Sequence, residues 1–221
     1  NNFISKMESV RYYISHRIMK AAEGVFGAVT CCPGAFSAYR RQAVLDILPD
    51  WLNQRFLGTQ ATFGDDRSLT NYLLRRYQVL YHAGARALTY VPNRWMKFFR
   101  QQLRWKKSWT RETTVAVRIL YRTHPVAAIS YYAGVLLTFL SPLVAIRALI
   151  VIPVLFHGSS VIPYISGLML VYLFLCLLCL YYTRSRYWYY GMAFAVLYIT
   201  VLSLQNYYAL VTVRRNHWGT R

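Results

Sequence analysis

Hydrophobic and polar positions alternate quite differently in the two halves of the chain. Three stretches, Thr123 to Ile146, Ala148 to Thr183 and Tyr187 to Val213, contain no Asp, Glu, Lys or Arg. A helix crosses the hydrocarbon of a bilayer in about 20 apolar residues, so each stretch is long enough. The pattern predicts a first crossing near 127–150, a turn at His157-Gly158-Ser159-Ser160, and a second crossing from about Ile162 to Tyr182. Pro142 and Pro153 are expected to kink or end helices, and Arg147 to snorkel toward the interface. Before residue 95 the pattern is mixed. Ile14, Ile18 and Ala21-Ala22 fit an amphipathic helix, and 44–48 and 68–76 read as short helices. Residues 25–30 read as a short buried strand, and 79–82 and 87–90 as short strands. This alternation predicts an α/β first part followed by an all-α membrane region.

Charge sharpens the division. Of 26 Lys and Arg, 20 precede residue 126, and the chain has only 7 Asp and Glu. Basic residues mark the cytosolic side of membrane segments. The first part is therefore expected in the cytosol and the 157–160 turn outside, with Arg184 and Arg186 returning the chain. Arg214 and Arg215 place the far end of the third stretch on that same side. An interfacial or re-entrant third segment is favoured, with a plain third crossing as the rival. Between 94 and 122, nine basic residues and one acid are interleaved with Trp and Phe. Beside a membrane segment, that composition suits anionic lipid headgroups better than nucleic acid. A basic membrane-surface scaffold is the non-enzymatic reading. Cys176 and Cys179 have CxxC spacing but sit in a Leu-rich run, where packing is the expected role.

Three constellations carry candidate chemistry. Gly64-Asp65-Asp66-Arg67-Ser68-Leu69-Thr70-Asn71 holds the only adjacent acids of the chain. Asp66 reads either as an acid favoured by a helix N-terminus or as a general base for an attacking hydroxyl. In Gln101-Gln102-Leu103-Arg104-Trp105, the i, i+3, i+4 spacing places Gln101, Arg104 and Trp105 on one helix face. They would offer an amide, a planar cation able to grip a diphosphate, and a flat surface for a sugar. The rival is a helix lying on the membrane surface. Trp218-Gly219-Thr220-Arg221 reads as an interfacial anchor or a ligand-reaching loop.

In this order, with Asn53-Gln54-Arg55-Phe56-Leu57-Gly58 just ahead of them, these motifs resemble the membrane-embedded family 2 glycosyltransferases. The hyaluronan synthases are the nearest type and the chitin synthases the next. The resemblance implies a UDP-sugar donor, a growing polysaccharide acceptor, and inverting, processive transfer with extrusion through the plasma membrane. It implies Asp66 as base, with Asp65 and Arg67 beside it at the substrate. Gln101 and Arg104 would hold the diphosphate, Trp105 would floor the acceptor site, and Trp218 and Arg221 would belong to a gating loop. Cys31-Cys32-Pro33-Gly34-Ala35 resembles an acceptor-lining loop, so Cys32 and Gly34 join the substrate residues. Pro33 departs from the small hydroxyl residue common there.

The same resemblance divides the chain. Residues 1–93 would be the second half of a GT-A type catalytic domain and 94–124 an interface helix region. Residues 125–213 would be membrane helices and 214–221 the gating motif. No DxD pair occurs, so the ligands for Mg2+ or Mn2+ are expected in an N-terminal half outside this sequence. The lack of an initiator Met and of a signal peptide reads as a piece of a longer protein that transfers no sugar by itself.

Overall fold

The computed structural model describes residues 2–60 and 64–214. Helix α1 (Phe3–Tyr13) begins at a reciprocal cap. Asn2 Oδ1 accepts from the Ser5 amide at 3.0 Å, while Ser5 Oγ accepts from the Asn2 amide at 3.0 Å, which satisfies otherwise orphaned donors. The chain continues through a widened π-helical turn (Ile14–Lys20) into α2 (Ala21–Val25). Then follow α3 (Arg41–Leu52), a two-residue hairpin of β1 (Arg55–Phe56) and β2 (Thr59–Gln60), α4 (Asp65–Leu74) and the long α5 (Trp95–Ala116).

The apolar part contains α6 (Pro125–Ile146), running through a π-helical turn into α7 (Ile152–Leu155), then α8 (Val161–Thr183). Last come α9 (Tyr190–Leu197), a third π-helical turn and α10 (Ser203–Val211). Three continuous helices, Pro125–Leu155, Val161–Thr183 and Tyr190–Val211, are long and apolar enough to cross a membrane. The first two leave most of their side chains uncovered by protein, whereas the third is covered more. A helix apolar all round and uncovered belongs in lipid. Cys176 and Cys179 are free thiols buried against Val10 and Ile14 of the first helix and its widened turn, in the packing role expected of them.

The α/β expectation for the first part is overturned. Among the described residues the β structure is the two-residue hairpin and one isolated parallel bridge between Ala28 and Val79. Val25 ends α2, and 87–90 form no strand, with Leu88 and Tyr90 fully exposed. The physical reason is that β-propensity becomes a strand only by pairing. Residues 79–82 find one partner, where the Val79 amide donates to Gly27 O at 2.9 Å. Residues 87–90 find none among the described residues.

Two clusters position the site. Val29, Ala43, Ile47, Leu73, Leu74, Val79 and Ile119 pack α3 and α4 together. Ile4, Met7, Phe98, Phe194 and Leu202 join α1, α5 and the third apolar helix. That helix therefore touches α1 through α9 and α5 through α10. Gly191 makes the approach possible, since a Cβ there would lie 2.4 Å from Cys176 Sγ and 2.9 Å from Val10.

Candidate active site

Helix α4 starts at Gly64, which is left-handed at φ +79°. That conformation costs a side-chain-bearing residue energy, and space forbids one as well. A Cβ on Gly64 would lie 1.9 Å from Ser108 Oγ on α5. The start of α4 is thereby pressed against the helix that carries Gln101, Arg104 and Trp105. A buried amide link fastens the two: Asn71 Nδ2 donates to Glu112 O at 3.2 Å and Glu112 Oε2 at 3.1 Å. Arg111 Nε donates to Glu112 Oε1 at 2.7 Å. On the other side Trp51 Nε1 donates to Ser68 Oγ at 2.9 Å, and Ser68 Oγ donates to Gln54 Oε1 at 2.7 Å. The 53–58 segment is in this way tied to the acidic motif.

Asp65 and Asp66 occupy the first turn of α4, where the helix dipole favours negative charge. Asp66 Oδ1 accepts the Arg67 amide at 2.8 Å. Its other oxygen, Oδ2, lies 4.0 Å from Cys31 Sγ, and a Cβ on Gly34 would be 4.0 Å from that same oxygen. Cys32 is held by its backbone: its amide donates to Thr70 Oγ1 at 3.0 Å, and that hydroxyl donates to Asp66 O at 2.7 Å. The 31–34 loop consequently faces the carboxylate, with Cys31 rather than Cys32 supplying the thiol nearest to it. Burial pushes both thiols above the ordinary thiol range, so they stay protonated near neutrality.

Trp105 is supported from α1. Arg11 Cζ lies 5.0 Å from its ring centroid and Tyr12 meets it edge-on at 6.1 Å. Arg11 is forked onto Glu8, with Nε to Oε1 at 2.7 Å and Nη2 to Oε2 at 2.8 Å, and Glu8 is fully buried. Beside these, Gln101 Oε1 and Gln102 Nε2 are buried without a hydrogen-bond partner. Orphaned buried amides are costly in a protein interior, and a polar ligand would satisfy them.

These residues open on one cleft of about 2360 Å³. Cys32, Gly34, Asp65, Asp66, Arg67, Gln101, Arg104 and Trp105 all line it, so the structure brings together every expected site residue that it describes. Trp218 and Arg221 lie outside the described residues. The wall continues past Trp105 to Lys106, Thr138, Tyr198 and Asn206, which reach onto the apolar helices. Among the described residues, no group of three or more His, Cys, Asp or Glu could hold a metal ion. The described residues therefore do not themselves make a site for Mg2+ or Mn2+.

The family profile described as "Chitin synthase" matches residues 1–219. The chain belongs to this family. Hyaluronan synthase 3 of Gallus gallus is 31% identical over 223 residues, covering 100% of this chain and 38% of the relative. Hyaluronan synthase 1 of Xenopus tropicalis is 30% identical over 230 residues, covering 100% and 37%. Hyaluronan synthase 2 of Xenopus laevis reaches 41% over 113 residues, 51% of this chain and 20% of the relative. The chain thus spans under two fifths of the length of these curated relatives. The resemblance to hyaluronan synthases carried by the ordered motifs is borne out.

Sequence reasoning missed Arg11, Lys106 and Asn206. Lys106 follows Trp105 directly and was visible as one more basic residue of an interface helix. Nothing in the sequence linked it to Asn206, 100 positions on.

Proposed function

We propose that this chain forms the acceptor and membrane side of a processive polysaccharide synthase of the hyaluronan synthase type. It adds sugars from a UDP-sugar to a growing chain. Asp66 takes the proton of the acceptor hydroxyl, as a positioned carboxylate can when its geometry is right. Trp105 floors the acceptor sugar, and Gln101 and Arg104 hold the diphosphate, with Asp65, Arg67, Cys32 and Gly34 lining the approach. The departing diphosphate is a weak base, so no second carboxylate is needed to protonate it, unlike glycoside hydrolysis. Any divalent cation takes its ligands from outside these residues. Trp218 and Arg221 remain assigned to a gating loop. The polymer leaves between the apolar helices of a multi-pass plasma-membrane protein whose basic part faces the cytosol. The division at 93, 124 and 213 belongs to the same proposal.

The observation that supports this reading is continuity. Asp66, Gln101, Arg104 and Trp105 share a cleft whose wall passes without interruption onto α6 and α10. A chitin synthase-like enzyme is the second reading, favoured by the description of the family profile. The test is to express the gene product that carries this chain, supply radiolabelled UDP-sugars, and digest the product with hyaluronidase and with chitinase. A long, hyaluronidase-sensitive polymer is expected. Chitinase sensitivity would favour the second reading, and single-sugar addition to a lipid would overturn both.

A further inference from the structure

Pro142 lies inside α6 and has no N–H, so the carbonyl four residues earlier, Thr138 O, loses its usual helical donor. Ser141 Oγ donates to it at 3.3 Å from within α6, and Asn206 Nδ2 also donates to it from α10 at 3.4 Å. A carbonyl only accepts, so this bond fixes the amide with its oxygen turned the other way. That oxygen, Asn206 Oδ1, accepts a short hydrogen bond from Lys106 Nζ. The ammonium also lies 5.4 Å from the Tyr198 ring centroid. Lys106, Thr138, Tyr198 and Asn206 all line the cleft, immediately beyond Trp105 and on the side of the apolar helices.

The chemistry of this position is unbalanced. The described ion pairs are Arg11–Glu8, Lys20–Glu23 and Arg111–Glu112, none of which includes Lys106. Its hydrogen-bond acceptor among the described residues is a neutral amide, though an ammonium has three donors. Asp65 and Asp66 are the acids on the cleft wall, outnumbered by Lys and Arg. A desolvated cation without an anion is costly unless one is delivered. A neutral polysaccharide would leave it unpaired at every step. A polymer bearing a carboxylate on alternate sugars would pair it once per repeat.

From this geometry we infer that Lys106, aligned by Asn206, is a binding site for the carboxylate of an acidic sugar on the polymer leaving Trp105. The site makes Lys106 a specificity-determining residue, and it rests on the polysaccharide synthase reading. It is separate from the diphosphate site, because Lys106 lies two residues beyond Arg104, on a different face of α5.

The gene product that carries this chain, in lipid nanodiscs, provides the test without turnover. Binding of a hyaluronan tetrasaccharide is compared with that of its carboxyl methyl ester, which keeps the shape and removes the charge. UDP serves as the diphosphate control. The wild type is expected to bind the acid about tenfold tighter than the ester, within the usual range for a charge-assisted hydrogen bond. Lys106→Gln should bring that ratio to about one, Lys106→Arg should preserve a preference for the acid, and UDP affinity should be equal in all three. The ratio is read within each variant, so a general folding defect cannot imitate the result. An unchanged ratio in Lys106→Gln, or no acid preference in the wild type, overturns the site. Failure of the synthase reading would appear elsewhere, as absence of polymer product.

Discussion

The Arg11 guanidinium is clamped by both oxygens of the fully buried Glu8 and lies 5.0 Å from the Trp105 ring centroid. A residue near the start of the chain thus fixes the surface on which the acceptor sugar is proposed to rest. Removing one member of a buried ion pair strands the other, typically at about 3–5 kcal/mol. Glu8→Ala should destabilise the fold by a free energy of that order, read as a lowered thermal unfolding midpoint in detergent. The double variant Glu8→Ala with Arg11→Ala should recover part of the loss, since no charge is then stranded. Equal midpoints for wild type and Glu8→Ala would contradict the clamp.

Gly64 makes a separate prediction. Gly64→Ala adds strain at φ +79° and a clash with Ser108, and should destabilise the chain by about 1–3 kcal/mol. Adding Ser108→Gly removes the clash and leaves the strain. Calorimetry or thermal denaturation of the pair should therefore show partial rescue. Full rescue would mean that backbone conformation plays no part.

Asp66→Asn keeps the size of the side chain and abolishes its basicity. Polymer synthesis by the gene product should fall by about 10²–10⁴-fold, with membrane insertion unaltered. Radiolabel incorporation and membrane fractionation measure the two. Undiminished synthesis would remove Asp66 from the base role.

Burial, with Arg11 nearby, lowers Lys106 from the usual lysine range to about 8. The direction fixes the sign of the pH dependence. The unfolded chain holds this proton more tightly, so folded stability is reduced below pH 8 and rises as pH climbs from there toward the free lysine value. The full difference is about 3 kcal/mol. The groups around Lys106 are Arg11 on α1, Arg104 and Lys107 on α5, and Tyr198 on the third apolar helix, with Thr138 on α6 adding no charge. Subtracting the Lys106→Met profile isolates the Lys106 contribution. A wild-type minus variant difference that is flat between pH 7 and 10 would refute it. The acid preference of the carboxylate site should fade over the same alkaline range.

The three long apolar helices were legible because charge exclusion over 20 or more residues is a local property. The helices at 41–52 and 65–74 were legible in part, as shorter or shifted segments at 44–48 and 68–76, since their periodicity lies within a few positions. Residues 25–30 and 79–82 look like strands by composition, yet pairing is a property of two segments, and only Ala28 and Val79 meet. The grouping of Asp66 with Trp105 could be anticipated from the ordered motifs. The link from Pro142 through Asn206 to Lys106 could not. It depends on which carbonyl a proline leaves free and on which side chain of another helix lies opposite.

The third apolar helix touches α1, which props the Trp105 indole, and α5, which carries it. A change in bilayer thickness that tilts this helix would shift both supports of one aromatic plane together. Under the proposed function, lipid acyl length then becomes a determinant of how well an acceptor sugar is seated, and synthase output should vary with the host membrane even at saturating donor.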